Sequence, residues 1–90
     1  MSDVNETNSQ TPARAVAVLE HITRSVVDDP DGVSVSVDEG DNRVQLNVTV
    51  SDGDMGRVIG KRGRMANAIR TVTRAAAVRD GIEVDIEFVD

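Results

Sequence analysis

The chain has no cysteine, a single aromatic residue, Phe88, and no long apolar run. The lack of cysteine excludes disulfides and thiolate chemistry. One aromatic side chain excludes the kind of binding that stacks successive bases on the exposed aromatics of a sheet. No apolar stretch approaches the roughly 20 residues of a membrane-spanning helix, and the polar first residues are unlike a signal peptide. We therefore predict a soluble, cytoplasmic protein without membrane contact.

Groups for catalysis and metal binding are also scarce. His21 is the only histidine, and it falls on the polar side of the first predicted helix. The run Gly56-x-x-x-Gly60-Lys61 is one residue short of a nucleotide-binding phosphate loop. Four aspartates in turns lack the later glutamate of a calcium-binding loop: Asp29, Asp31, Asp52 and Asp54. With no nucleophile–base pair visible, we expect no enzyme, no metal site and no cofactor.

Positive charge is scarce overall but concentrated in one segment. The formal net charge is −6, whereas residues 57–79 carry +7 with no Asp or Glu, which leaves −13 for the remainder. The cations of the segment are Arg57, Lys61, Arg62, Arg64, Arg70, Arg74 and Arg79. This asymmetry favours one anion-facing surface, although a solvated helix face explains the charge alone equally well.

The N-terminal part of the chain predicts a tail and a helix. Residues 1–11 are polar with little to bury, so we expect a disordered tail ahead of one domain at 12–90. Thr11 suits an N-cap, and Pro12 suits the first helical position. Apolar residues then recur at spacings typical of one helix face: Ala15, Leu19, Ile22 and Val26.

The remainder of the chain predicts strands and helices in succession. Two segments of alternating apolar and polar residues, 33–37 and 44–50, flank a turn and indicate a hairpin. A short helix at 55–59, a longer helix after Gly63 and a third strand at 82–88 follow. The long helix shows an apolar stripe at Met65, Ile69, Val72 and Ala76.

These elements predict an α+β fold in the order α-β-β-α-α-β. A three-stranded mixed sheet packed against helices is the simplest way to bury one apolar face of each strand. The helical crossover between the second and third strands predicts that these two run parallel.

The most informative stretch is the loop Gly60-Lys61-Arg62-Gly63. One helix ends at Gly60 and the next begins near Gly63, and glycine permits backbone shapes and close approach that other residues prevent. The second helix directs its free N–H groups and the positive end of its dipole toward the same place. Lys61 and Arg62 add charge between the glycines, so the loop predicts contact with a phosphate backbone.

A Gly60-x-x-Gly63 loop between two helices, entered by Val58-Ile59 after an amphipathic strand, resembles the KH domain. The element order, with a helix and a strand ahead of the core, is similar to the type II or bacterial arrangement. The runs 54–63 and 68–72 resemble those of small bacterial KH-domain proteins of the KhpA type, and the likeness spans residues 13–90.

The resemblance implies non-catalytic binding of single-stranded RNA, because KH loops clamp about four nucleotides, with bases in a groove beside the second strand. It further implies an RNA chaperone or post-transcriptional regulator that forms a homodimer or a heterodimer with a larger KH-domain protein of the KhpB type. Many KH domains carry an aliphatic residue in place of Ala66, so we expect a shallower groove floor. The implied RNA-binding residues are Gly60, Lys61, Arg62, Gly63, Arg57, Val58, Ile59, Arg64, Ile69 and Arg70.

Three other interpretations of the loop remain open. The glycines can be plain helix caps. A DNA-binding helix-turn-helix protein needs two proper helices, and residues 55–59 are short for the first. A protein adaptor, for example in ribosome assembly, would carry a vestigial loop and bind through the acidic remainder of the chain.

Overall fold

The computed structural model describes residues 12–40 and 43–89. The element order is that predicted, and the α+β class is confirmed. Two single turns of 3-10 helix, at Pro30–Gly32 and Lys61–Gly63, were not anticipated. The elements are α1 (Ala13–Val26), β1 (Ser34–Glu39), β2 (Val44–Thr49), α2 (Met55–Ile59), α3 (Arg64–Asp80) and β3 (Val84–Phe88).

The three strands form one mixed sheet in the order β1-β2-β3. β1 and β2 pair antiparallel, with Val37 opposite Leu46. β2 and β3 pair parallel, with Leu46 opposite Ile86. The predicted hairpin and the predicted parallel crossover are therefore both confirmed, and β2 lies in the centre with a neighbour on each side.

The hydrophobic core lies between the sheet and the helices. Leu46 and Val48 of β2 are fully buried together with Leu19 of α1, and Val58 of α2 and Ile69 of α3 join the same cluster. Burial of such aliphatic side chains contributes about 1.5–3 kcal/mol each. The short α2 is thus anchored in the core by a single fully buried residue, Val58.

α1 packs along α3, and a carboxylate fastens their ends together. Ala15 and Ala77 are buried, and side chains this small let helices approach closely. Asp80, at the end of α3, accepts hydrogen bonds from the backbone N–H groups of Arg14 and Ala15 at 3.2 and 3.3 Å. The first N–H groups of a helix lack partners within the helix, so this carboxylate serves as their acceptor.

The predicted apolar stripes of the two long helices are only partly confirmed. On α3 the buried residues are Ala66, Ile69, Thr73 and Ala77. Of the predicted stripe, Ile69 is buried and Met65 and Ala76 pack half-buried against the core, so the prediction was wrong at Val72 alone. Val72 is 46% exposed, whereas Thr73 is fully buried. On α1, Thr23 is fully buried, while Ile22 and Val26 are half-buried. Close packing of α1 on α3 favours small residues and short polar residues at the contact. A pattern of apolar residues alone does not identify these positions.

The edge strand β1 and the start of α1 also depart from expectation. Val35 is half-buried and Val37 is 36% exposed, because β1 has a neighbouring strand on one side only. Pro12 lies at the N-cap rather than at the first helical position, and its carbonyl accepts the N–H of Val16 at 2.9 Å. The predicted cap Thr11 and the predicted tail at 1–11 lie outside the described residues.

Within residues 12–40 and 43–89, no helix combines the length and the apolar character needed to cross a membrane.

Candidate nucleic-acid interface

The loop between α2 and α3 is a tight turn with an unusual backbone. Gly60 has φ 72° and ψ −177°, Arg62 has φ 57° and ψ 26°, and Gly63 has φ 74° and ψ 13°. Positive φ at three of four consecutive residues reverses the chain within one turn. Arg62 is the only described residue other than glycine with positive φ, a conformation that is uncommon for residues with a side chain.

The two glycines of the loop serve different purposes. A Cβ added to Gly60 would lie 2.7 Å from Cβ of Met65, so the fold itself requires glycine there. A Cβ added to Gly63 would meet nothing within 4 Å. The backbone at Gly63 therefore faces open space, where a ligand can approach the start of α3 and its positive dipole end.

Three cations surround this open backbone. Lys61, Arg62 and Arg64 are exposed. Among the described residues, no carboxylate forms an ion pair with any of the three. Their positive charge adds to that of the N-terminal end of the α3 dipole, so the loop attracts anions.

The remaining cations of the segment 57–79 do not extend this surface uniformly. Arg57 pairs with Asp28 and with Asp54, each at 3.3 Å. Arg74 lies 3.9 Å from Asp85 on β3. The sequence predicted one anion-facing surface, but part of the positive charge is compensated locally.

Arg70 lies across the open edge of β3. Its Nε donates to the carbonyl oxygen of Ile86 and its Nη1 to Oδ1 of Asn67, both at 3.3 Å. Its guanidinium stands 5.1 Å from the centroid of the Phe88 ring, which is a cation–π distance. Phe88 is half-buried and packs against the core.

A groove beside the loop must use β3 rather than β2. The sequence predicted base contacts near the second strand, but β2 is hydrogen-bonded on both sides. β3 is a terminal strand with a free edge, and Arg70 and Phe88 lie along it. Outward-facing backbone groups of this edge, such as the carbonyl of Ile86, have no strand partner in the described part of the chain.

The apolar residues assigned to the site lie at different depths. Val58 is fully buried, Ile69 is 1% exposed and Ile59 is half-buried. Val58 and Ile69 hold α2 and α3 in the core, and neither side chain is accessible to a ligand. Ala66 is also buried, at 2% exposure, so it offers a ligand no more surface than Val58 and Ile69 do.

Sequence reasoning missed the part played by Asp54. This residue precedes α2 and is only 4% exposed. Its Oδ1 accepts the N–H of Asp28 at 3.1 Å and its Oδ2 accepts the N–H of Asp29 at 3.0 Å. Sequence analysis placed Asp54 only in a turn, because it is the folded chain that brings the segment after α1 close to this carboxylate.

A three-stranded mixed sheet, helices on one face and a glycine-bounded basic loop between two helices together define a KH domain. The leading α1 and β1 correspond to its type II arrangement. The family model described as the KH domain of KhpA/KhpB matches residues 16–88.

Relatives of known name support the same assignment. The RNA-binding protein KhpA of Clostridium acetobutylicum is 49% identical over 72 residues, which cover 80% of this chain and 96% of that protein. The protein of the same name from Bacillus subtilis is 41% identical over 81% of this chain and 90% of its own. This chain therefore belongs to the KhpA/KhpB KH-domain family.

One solved structure resembles the fold. A crystal structure of Aquifex aeolicus Era bound to GDP and AlF4⁻ matches with a TM-score of 0.61 at 21% identity. The match covers 87% of this chain but 31% of the Era chain, so it bears on the fold alone.

Proposed function

We propose that this protein binds single-stranded RNA, without catalysis, through the loop Gly60–Gly63. The observation that carries the proposal is the open backbone at Gly63 beside Lys61, Arg62 and Arg64, whose charges have no carboxylate partner in the described part of the chain. An RNA phosphate at this backbone meets N–H donors, a helix dipole and cations at once. Relatives that cover most of this chain are named RNA-binding proteins.

The bases of the bound RNA would lie beside α3, along the free edge of β3 where Arg70 meets the carbonyl of Ile86. Arg70 already donates to the carbonyl of Ile86 there, so a base that takes this acceptor must shift the guanidinium. Phe88 offers one partly exposed ring, which is too little for a stacking platform. We expect weak, micromolar binding with limited base preference, because one small domain makes few contacts.

Apart from Arg57, the predicted contacts divide into two groups. Direct contacts with RNA are assigned to the loop and its basic neighbours: Gly60, Lys61, Arg62, Gly63, Arg64 and Arg70. Val58, Ile59 and Ile69 are assigned a supporting role, in which they hold the helices that flank the loop in place. Val58 and Ile69 are buried and cannot contact RNA directly. In a bacterial cytoplasm, such a binder suits the work of an RNA chaperone or post-transcriptional regulator.

The test reverses the charge of the loop by replacing Lys61 and Arg62 with Asp. Stability is expected to change by less than about 1 kcal/mol, since both sites are exposed and Asp tolerates the positive φ of Arg62. The loss of two charge-assisted hydrogen bonds, at about 1.5–3 kcal/mol each, weakens binding at least about a hundredfold. Fluorescence anisotropy with a labelled 12-nucleotide oligouridylate measures the effect.

A matched control separates local from general electrostatics. Arg79 is an exposed cation near the other end of α3, about 22 Å along the helix from Arg64. Arg79→Asp is expected to alter binding far less than Arg62→Asp. Arg43 is a poor control because it pairs with Glu83 and Asp85. A folded double variant that still binds within threefold of the parent favours the adaptor interpretation, as does protein capture that survives nuclease treatment.

We further propose that the protein self-associates through an apolar face on α1 and α3. A groove of about 520 Å³ is lined by Ala17, Val18, Val72, Ala75 and Ala76, together with Arg14 and Arg79. Val72 is 46% exposed there, although it is a large apolar residue in the middle of α3. A second copy supplies the same apolar face, as closed twofold packing requires.

Sedimentation at tens of micromolar tests this surface. The parent is expected to sediment as more than a monomer and the Val72→Asp variant as a monomer, with its fold intact because the site is exposed. A parent that is monomeric alone but binds a larger KhpB-type protein through Val72 indicates a heterodimer on the same face. A Val72→Asp variant that associates as well as the parent contradicts the proposed surface.

A further inference from the structure

We infer that Asp54 and Arg57 form a clasp that positions the RNA-binding loop, and that Arg57 acts through this clasp rather than by contacting phosphate. The inference rests on the proposed RNA binding and deepens it. It reassigns Arg57, which the resemblance placed among the residues that touch RNA. It also gives a role to the buried carboxylate of Asp54, which lies outside the loop Gly60–Gly63.

The carboxylate of Asp54 joins two segments that are distant along the chain. Its oxygens accept the N–H groups of Asp28 and Asp29, one each, at 3.1 and 3.0 Å. The turn after α1 is thereby tied to the residue that precedes α2. A second link runs alongside, because Oγ of Ser51 donates to the carboxylate of Asp29 at 2.6 Å.

Arg57 closes the clasp from the side of α2. Its Nε lies 3.3 Å from Oδ1 of Asp54, and its Nη2 lies 3.3 Å from Oδ2 of Asp28. Asp54 is nearly buried, with 5% of its side chain exposed. A phosphate that recruits Arg57 would strip the charge partner from a carboxylate that has little access to water, which is unfavourable.

The clasp matters for the loop because α2 is so short. Five residues separate Asp54 from Gly60, and a helix of that length is not stable by its own hydrogen bonds. Its direction is set by its attachments, which are Val58 in the core, Met55 and Ile59 packed against the core, and the clasp at its start. Holding α2 in place arranges the backbone at Gly60 before RNA arrives, and such preorganisation raises affinity.

A double-mutant cycle on Asp54→Asn and Arg57→Gln tests the inference with the labelled 12-nucleotide oligouridylate. Each single variant is expected to weaken binding about five- to tenfold through lost preorganisation. The double variant is expected to be no weaker than the poorer single variant, since both changes open the same clasp. Asp52→Asn, in the same turn but exposed, serves as the matched control and is expected to bind within twofold of the parent.

The salt dependence of binding distinguishes positioning from contact. A phosphate contact by Arg57 adds about −0.7 to the slope of log K against log salt for single strands. Arg57→Gln is therefore expected to leave the slope unchanged, and a slope reduced by that amount overturns the inference. Additive losses in the cycle, or a folded Asp54→Asn variant that binds like the parent, overturn it as well. If Asp54→Asn does not fold, the slope of Arg57→Gln alone decides.

Failure of the clasp can be told apart from failure of the proposed function. If the parent does not bind the oligonucleotide at all, RNA binding by this loop is wrong. The clasp is then judged from amide NMR shifts of Gly60 and Gly63, which are expected to move in Asp54→Asn and not in Asp52→Asn. Unmoved loop amides mean that Asp54 does not position the loop.

Discussion

At the scale of single residues, the loop shows how two identical residues differ in purpose. Gly60 is required by the protein's own packing, because a Cβ there would press on Met65 at 2.7 Å. Gly63 is required by its backbone angle alone, since the space around it is open. The pattern G-x-x-G therefore combines a structural glycine with one that keeps a surface accessible.

Replacing each glycine with alanine is expected to separate these two purposes. Gly60→Ala combines strain at φ 72° and ψ −177° with the clash at Met65, so we expect a loss of about 2–4 kcal/mol in urea unfolding. Gly63→Ala is expected to cost about 1–2 kcal/mol, the penalty for a left-handed alanine. RNA binding is expected to suffer in Gly63→Ala because a methyl group then covers the open backbone. Equal losses of stability in both variants contradict this division.

At the scale of elements, α3 contacts several parts of the fold at once. Its buried residues face α1 and the sheet, its first turn supports the loop, and Arg70 on its flank reaches the edge of β3. A helix with several partners cannot be described by one apolar stripe. That is why Val72, which fits the spacing, is exposed while Thr73 is buried.

Two truncations on α3 test the observed helix face. Ile69→Ala empties a fully packed site and is expected to cost about 2–5 kcal/mol of unfolding free energy. Val72→Ala removes partly exposed atoms and is expected to cost less than about 0.5 kcal/mol. Unfolding is best followed below 1 µM protein, because self-association would otherwise add to the stability of the parent. A larger loss from Val72→Ala than from Ile69→Ala would contradict the observed burial of Ile69 and exposure of Val72.

At the scale of the whole molecule, a small basic surface belongs to a chain whose net charge is negative. The chain carries −6 overall, and ion pairs at Arg57 and Arg74 compensate part of its positive segment. Long-range attraction for a polyanion is therefore limited, and the proposed RNA binding would rely on close contacts at the loop. This favours RNA that fits the loop over RNA held by charge alone.

The salt dependence of the parent protein measures the size of that surface. Two to four neutralised phosphates give a slope of log K against log salt of about −1.5 to −3. Anisotropy titrations with the 12-nucleotide oligouridylate at about 50 to 300 mM salt determine this slope. Over that range, about two to four phosphate contacts change the binding constant enough to be measured. A flat response contradicts a phosphate clamp, and a much steeper one indicates that cations beyond the loop take part.

Much of the fold was accessible from sequence because its signals are local. Alternation along β2 and β3, the turns between elements and the helical spacing in α1 each depend on neighbouring residues, and the element order followed. The parallel pairing of β2 and β3 followed from the crossover between them. The glycine-bounded basic loop was likewise visible, since its residues are consecutive.

Only the tertiary structure determined the surroundings of the loop. Asp54 contacts Asp28 and Asp29, and Arg70 contacts the free edge of β3, although these partners are far apart in sequence. The exposure of Val72 depends on how α1 packs on α3. Periodicity reports which residues share a face, but the partner of that face is set by packing. The sequence therefore determined where the loop is and what charge it carries, while the packing of distant segments determined how the loop is held and which edge lies beside it.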